Sequence, residues 1–268
     1  MGKREPIRIE KDEHIAWVIL NRPEKRNAMS LDFFDGLVKH FTALDEDPQV
    51  RVIIIKAEGE SFTSGIDLTE LASLIQGEGA AFRESQRRQI MKLQEGMNQV
   101  ERCRKPVIAA VHSHCIGGGV DLLSACDIRM ASVDAVFAIR ETRMAIIADL
   151  GTLQRLPHII GHGRFRELAL TGRDFLAEEA FRIGFITHLC EDRERLYQQA
   201  GKLAREIVQC SPLAVQGVKD VINYSRDHGV YPGLEYVAQK NAAILPCEDL
   251  MEAFSAFIEK RPPVFRGN

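Results

Sequence analysis

Residues 105–132 read KPVIAAVHSHCIGGGVDLLSACDIRMAS, and the order of elements in this stretch sets the fold class. After Pro106 comes VIAAV (107–111), an unbroken apolar run of the kind found in strands buried on both faces. Residues 114–121, HCIGGGVD, then turn through three glycines, and GGGVDLLSAC opens a helix. Further strands are expected at 128–131 and 135–139. Upstream the same grammar appears twice. IAWVIL (15–20) and VIIIKA (52–57) read as buried strands, and VIIIKA runs into a second glycine-bearing turn, SFTSGID (61–67). Between them Ser30 stands as the N-cap of a helix with Phe34, Leu37, Phe41 and Leu44 on one face.

From Gly163 onward the text is helical, punctuated by Gly or Pro at 172, 184, 212 and 232. Strand–helix alternation followed by helices alone predicts an α/β core over residues 1–198 and a C-terminal helical subdomain over 199–268. The net charge of −3 supplies no basic surface for nucleic acid or anionic lipid. No apolar run reaches the roughly 20 residues needed to span a bilayer. The opening MGKREPIRIE is too charged for a signal peptide, and six cysteines show no Cys-x-x-Cys spacing. A cytoplasmic protein with reduced thiols is the expectation.

Free N–H groups at a glycine turn that opens a helix point at negative charge, whether a phosphate or an oxyanion formed during a reaction. Neither turn has the spacing of a P-loop or a dinucleotide fingerprint. A second signal is IRETRMAIIADLGTLQRLP (139–157), where Glu141 and Asp149 bracket the apolar run 144–148. Carboxylates avoid such surroundings unless they are paired or shifted in pKa. Plainer readings exist for each: Glu141 in an ion pair with Arg140 or Arg143, Asp149 as an N-cap, Asp121 favouring its own helix dipole. Asp127 reads as the partner of an arginine. His112 and His114 lack a third ligand, so no metal site is expected.

Taken together, NRPEKRNAM (21–29), SFTSGIDL (61–68), the 105–132 stretch and GTLQRLPHIIG (151–161) resemble the crotonase (enoyl-CoA hydratase/isomerase) superfamily over about residues 7–260. The resemblance implies a spiral of repeated ββα units, a helical tail that forms trimers or hexamers, and an acyl-CoA thioester substrate. It implies no separate cofactor, since coenzyme A belongs to the substrate. It also implies an oxyanion hole from the backbone N–H groups of Ile66 and Gly118. Lys25, Ala28, Ser64, Gly65, Asp67, Leu68 and Gly117 would then line the substrate groove.

Within the superfamily, Asp121, Glu141 and Asp149 together resemble the Δ3,5-Δ2,4-dienoyl-CoA isomerase subgroup, as does NYSRDHGV (223–230). Hydratases of the family have glycine in place of Asp149. The subgroup's role in fatty-acid β-oxidation is a shift of 3,5-double bonds into 2,4-conjugation. By resemblance Asp149 takes the C2 proton, Glu141 supplies the C6 proton, and Asp121 supports geometry and charge state, with the intervening apolar residues keeping the pocket dry. Eight residues of strand would separate Glu141 from Asp149 by ~26 Å and eight of helix by ~12 Å. Residues 141–149 are therefore expected to curl. The alternatives within the family are a hydratase or a Δ3-Δ2-enoyl-CoA isomerase, and outside catalysis an acyl-CoA- or RNA-binding member.

Overall fold

The computed structural model describes residues 5–268; residues 1–4, part of the charged opening read for targeting, lie outside the described residues. In chain order the elements are β1 (Ile7–Asp12), β2 (Ile15–Leu20), α1 (Leu31–Glu46), β3 (Val52–Ala57), α2 (Leu68–Leu74), α3 (Gly79–Arg102), β4 (Val107–Val111), β5 (His114–Ile116), α4 (Gly118–Ser124), β6 (Ile128–Ser132) and β7 (Val136–Ala138). They continue through α5 (Thr152–Ile160), α6 (His162–Thr171), β8 (Asp174–Leu176), α7 (Ala177–Arg182), β9 (His188–Cys190), α8 (Arg193–Val208), α9 (Pro212–His228), α10 (Val230–Ile244) and α11 (Glu248–Glu259).

A six-stranded sheet has the order β1-β2-β3-β4-β6-β9, and a three-stranded sheet the order β5-β7-β8. Only β1–β2 is antiparallel in the large sheet; every later pair runs parallel. The strands at 15–20, 52–57 and 107–111 fall where the apolar runs put them, because both faces of this sheet are covered. Val18, Ile53, Ile55, Val107 and Ala109 face a core with Phe34, Leu37 and Phe41 of α1. Ile15, Val52, Ile54, Ile108 and Ala110 alternate onto the other face, under Leu196, Ala200 and Ala204 of α8. Each fully buried Ile or Leu there contributes about 1.5–3 kcal/mol.

Successive units place one strand in the large sheet and the next in the small one, as in β4–β5 and β6–β7, before a helix returns. The turn after β3 joins in through an isolated parallel bridge, Thr63 to Cys115. This is the ββα spiral expected.

Four expectations need adjustment. The chain beyond Gly163 is not helical throughout: β8 and β9 lie in it, short strands that add one edge to each sheet. Ser30 takes the N-cap position of α1 without a side-chain cap bond; the Leu31 N–H donates instead to Glu70 Oε2 at 2.6 Å. The 198/199 boundary falls inside α8, whose buried face belongs to the sheet's core. The helices beyond it start at Pro212. Asp127 pairs with a lysine, not an arginine: Lys219 Nζ of α9 lies 2.7 Å from its Oδ2.

Candidate active site

The parallel strands β5 and β7 of the small sheet and the turn after β3, bridged to β5 at Thr63, end side by side. Cys115 of β5 is in register with Phe137 of β7, and bridges to Thr63. Two to four residues beyond that row lie Gly65-Ile66, Gly117-Gly118 and Glu141. Parallel pairing puts carboxyl ends on one edge, where open α/β sheets gather their ligands.

The first turn is fastened from the segment NRPEKRNAM. Met29 N–H donates to Gly65 O at 2.8 Å and Asp67 N–H to Met29 O at 2.9 Å. Buried Asn27 holds Glu58 O and Ser61 O through Nδ2 at 2.8 and 2.9 Å. Thr63 Oγ1 donates to Asn27 O at 2.7 Å. Gly65 has φ +89°, and a Cβ there would meet Ile116 O at 2.8 Å, so glycine is required on both counts.

In the second turn Gly117 has φ +54°, and a Cβ on it would stand 3.2 Å from Glu141 Oε1. A Cβ on Gly119 would strike Thr63 and Cys115. The middle residue, Gly118, opens α4, and its N–H is one of the orphan donors of that helix. A Cβ on Gly118 would lie 3.9 Å from Ile66 N, which sets the two expected oxyanion donors beside one another. Neither N–H finds an acceptor among the described residues.

The three acids converge on the same place. Asp121 is buried in the first turn of α4. Its Oδ1 accepts the Thr152 N–H at 2.7 Å. It therefore caps the start of α5, three residues after Asp149, rather than serving its own helix. The N-cap position of α5 is held by Gly151, so Asp149 is not that cap. Glu141 begins a 3-10 turn, Glu141–Met144. Thr142 Oγ1 donates to Ala169 O at 3.1 Å and Arg143 Nε to Thr171 O at 3.0 Å, which fasten this turn to α6. Arg140 pairs with Asp174. With both arginines engaged elsewhere, Glu141 Oε2 is buried without a hydrogen-bond partner among the described residues. The surface ion-pair reading fails on that observation. Beyond the 3-10 turn the chain reverses at Ala145, φ +57°, and runs irregularly to Asp149, as the curl demanded.

Electrostatics follow from this packing. Burial pushes Asp121 up to about 6, against the pull of the Thr152 amide, and the Asp149 charge adds to the rise. Burial, then the charges of Asp121 and Asp149, push Glu141 up to about 7. Burial also raises Asp149. A buried carboxyl oxygen with no donor is least costly when protonated, so the cluster pairs a protonated acid with ionisable neighbours near neutrality.

This has a stability consequence with a fixed sign. The folded protein holds the Glu141 proton more tightly than the unfolded chain, so the contribution is complete below pH 4.5 and is lost as pH rises through about 7. Glu141→Gln removes that loss, on the order of 2–3 kcal/mol. Melting temperatures from pH 4.5 to 8 should show the variant gaining on the wild type as pH rises. Parallel curves would mean a solvated Glu141.

The expected groove residues divide. Gly65 and Gly117 form the turns, and Ser64, with Arg26, Ser61, Ser113, His114 and Ile116, lines an adjoining cavity of about 360 Å³. Lys25 is exposed on the 3-10 turn Pro23–Lys25 and is not in that lining; Leu68 is exposed at the start of α2. Asp67 and Ala28 are engaged structurally. Asp67 caps α2 through Thr69 N–H at 3.1 Å and accepts Arg22 Nη2 at 3.2 Å. Arg22 Nη1 also donates to Ala28 O at 2.7 Å. Arg22 was not singled out by the sequence, where it reads as one basic residue among several.

The expected dryness is not met within one chain: Met144, Ala145 and Ile147 are exposed, Ile147 at 77%. The apolar run 144–148 is buried only at Ala148, because the curl that brings the acids together turns the rest outward.

A ββα spiral with paired amide donors beside buried carboxyls defines a class, and a family profile fits it. The enoyl-CoA hydratase/isomerase profile matches residues 10–268, and the chain belongs to that family. It is 47% identical over 266 residues to the peroxisomal Delta(3,5)-Delta(2,4)-dienoyl-CoA isomerase of Arabidopsis thaliana, covering 97% of this chain and 96% of that protein. The mitochondrial protein of that name from Dictyostelium discoideum is 41% identical over 268 residues, covering 98% and 92%. Among solved structures, an enoyl-CoA hydratase from Bacillus anthracis superposes with a TM-score of 0.90 at 33% identity, over 98% of this chain and all of that one.

Proposed function

We propose that this chain is a Δ3,5-Δ2,4-dienoyl-CoA isomerase. The observation that carries the reading is the gathering of Asp121, Glu141 and Asp149, all raised in pKa, at the carboxyl ends that also present the Ile66 and Gly118 amides. The thioester oxygen accepts both N–H groups. Asp149 removes the C2 proton, the charge delocalises as a dienolate onto that oxygen, and Glu141 delivers a proton to C6. No net proton is consumed; Asp149 and Glu141 return to their starting states by exchange with solvent. Two acids are needed because C2 and C6 lie four bonds apart. Asp121 keeps the start of α5 in place and raises Glu141. Relatives named as dienoyl-CoA isomerases at 41–47% identity support this reading over hydration.

A 3,5-dienoyl-CoA supplied to the protein should yield the strongly ultraviolet-absorbing 2,4-conjugated product. Hydration of crotonyl-CoA in its place would overturn the assignment. The pH profile has a defined shape: kcat/KM falls above pH 7 as Glu141 loses its proton, and falls in acid as Asp149 gains one.

The C-terminal helices leave apolar side chains in water, among them Leu234, Phe254, Phe257 and Ile258, with Phe257 85% exposed. An oligomer of identical chains would cover them, and the assembly we propose is the trimer, singly or stacked as a hexamer. Sedimentation equilibrium at micromolar concentration should give multiples of the 30.1 kDa chain mass, starting at three; a monomer alone overturns it. No helix among the described residues is long and apolar enough to cross a membrane. The cytoplasm is the location we propose. The relatives named above are mitochondrial and peroxisomal, so fractionation that finds the chain in an organelle would replace this reading.

A further inference from the structure

The irregular segment that carries Asp149 is held from behind by one face of α3. Gln94, Asn98 and Glu101 lie four and three residues apart and so share a stripe of that helix. Gln94 Nε2 donates to the Asp149 carbonyl oxygen at 2.7 Å. Arg155, one turn into α5, folds back so that Nη1 reaches Leu150 O at 3.4 Å. Its Nε and Nη2 donate to the two oxygens of Glu101, each at 3.0 Å, and Nη2 reaches Asn98 Oδ1 at 2.7 Å. From the C-terminal helices, Arg226 of α9 adds Nη1 to Glu101 Oε1 at 2.6 Å.

A solvated pair would be worth little. The Arg155 and Glu101 side chains are only 10% and 17% exposed, and the contact is two-pronged, which fixes direction as well as distance. The backbone between Ala145 and Gly151 belongs to no helix or strand, so its carbonyls depend on such donors for their position.

We propose that Gln94 and Glu101 are positioning residues for Asp149, Gln94 acting directly on its main chain and Glu101 through Arg155. This rests on the reading of Asp149 as the C2 base. A base displaced by about 1 Å loses on the order of 100-fold in rate, so the clamp acts on kcat. The stretch NYSRDHGV, which supplies Arg226, thereby ties α9 to the same clamp.

The test uses the full-length protein with a 3,5-dienoyl-CoA. Gln94→Met keeps the volume and removes the donor; Glu101→Gln keeps the shape and removes the charge that fixes Arg155. Each should lower kcat about 10- to 100-fold with KM changed less than about twofold. Exchange of the C2 proton with deuterated solvent should slow by the same factor. In an Asp149→Asn background neither substitution should lower the rate further, because the group being positioned is gone. Glu101→Gln also loosens α9, so a lowered melting temperature is expected there; Gln94 has no partner in α9 and isolates the effect. Wild-type kcat and exchange in Gln94→Met overturn the proposal, as does an equal further loss in the Asp149→Asn background. No turnover by the unaltered protein overturns the isomerase reading and this inference with it; turnover by the wild type without loss in the variants overturns this inference alone.

Discussion

Asp149→Asn should reduce kcat for a 3,5-dienoyl-CoA by ~10²–10⁴-fold, the usual consequence of removing a general base. The substitution keeps size and polarity and removes the charge and the basic lone pair. KM should change little, because in the proposed reading the thioester is held by the Ile66 and Gly118 amides. The fold should be unaffected: α5 is capped by Asp121 at its Thr152 amide, and Gln94 grips the Asp149 main chain, which the variant retains. Stability above neutral pH should rise slightly, since the variant no longer buries a carboxylate whose folded pKa is raised. Exchange of the C2 proton with deuterated solvent should vanish. In Glu141→Gln that exchange should persist while delivery to C6 stops, which assigns the two acids to the two ends of the diene. Near-wild-type isomerisation by Asp149→Asn would remove Asp149 as the base.

Gly118→Val should cut turnover by at least ~10²-fold, the loss that follows removal of one oxyanion donor. The backbone at Gly118 is not in the left-handed region, so a side chain does not by itself strain the chain. What it meets is the space that the proposed reading gives to the thioester oxygen. A Cβ would stand 3.3 Å from Met29 Sδ, 3.9 Å from Ile66 N and 4.0 Å from Leu150 Cδ1. Alanine should be partly tolerated, because the Met29 thioether can give by a few tenths of an ångström; the branched valine then crowds both amides. Overpacking costs about 1–3 kcal/mol, too little to unfold a domain with this much buried core. Circular dichroism should therefore report a folded protein with little activity. A folded Gly118→Val enzyme at wild-type rate would exclude this amide from the oxyanion hole.

Local chemistry made much of the protein legible. The strands at 15–20, 52–57 and 107–111 were readable because a sheet covered on both faces needs unbroken apolar runs. The two glycine turns were readable because Gly65 and Gly117 take positive φ, and a Cβ on Gly65 would also strike Ile116 O. The C-terminal helices were readable from 3.6-residue periodicity, but α8 was not readable as part of the core: its role depends on the sheet face it covers, at Ile54, Ile108 and Met130.

Residue types and spacing thus determined the central strands, the turns and the α/β class, and the family resemblance pointed to the three acids. Only the tertiary structure decided what each group does. Asp121 serves α5 and not α4; Asp67 and Ala28 are taken up by Arg22; Glu141 Oε2 is left without a donor among the described residues because Arg140 and Arg143 turn to Asp174 and Thr171. The exposure of Ile147, too, follows from how residues 141–149 curl. Apart from Arg22 and Ala28, six residues apart, these contacts share one physical reason. Partners about 28 to 125 residues away, such as Arg143 for Thr171 and Glu101 for Arg226, are brought together only when parallel strands align their carboxyl ends and helices close over them. A carboxyl's pKa and role are set by those partners, and sequence spacing carries no record of them.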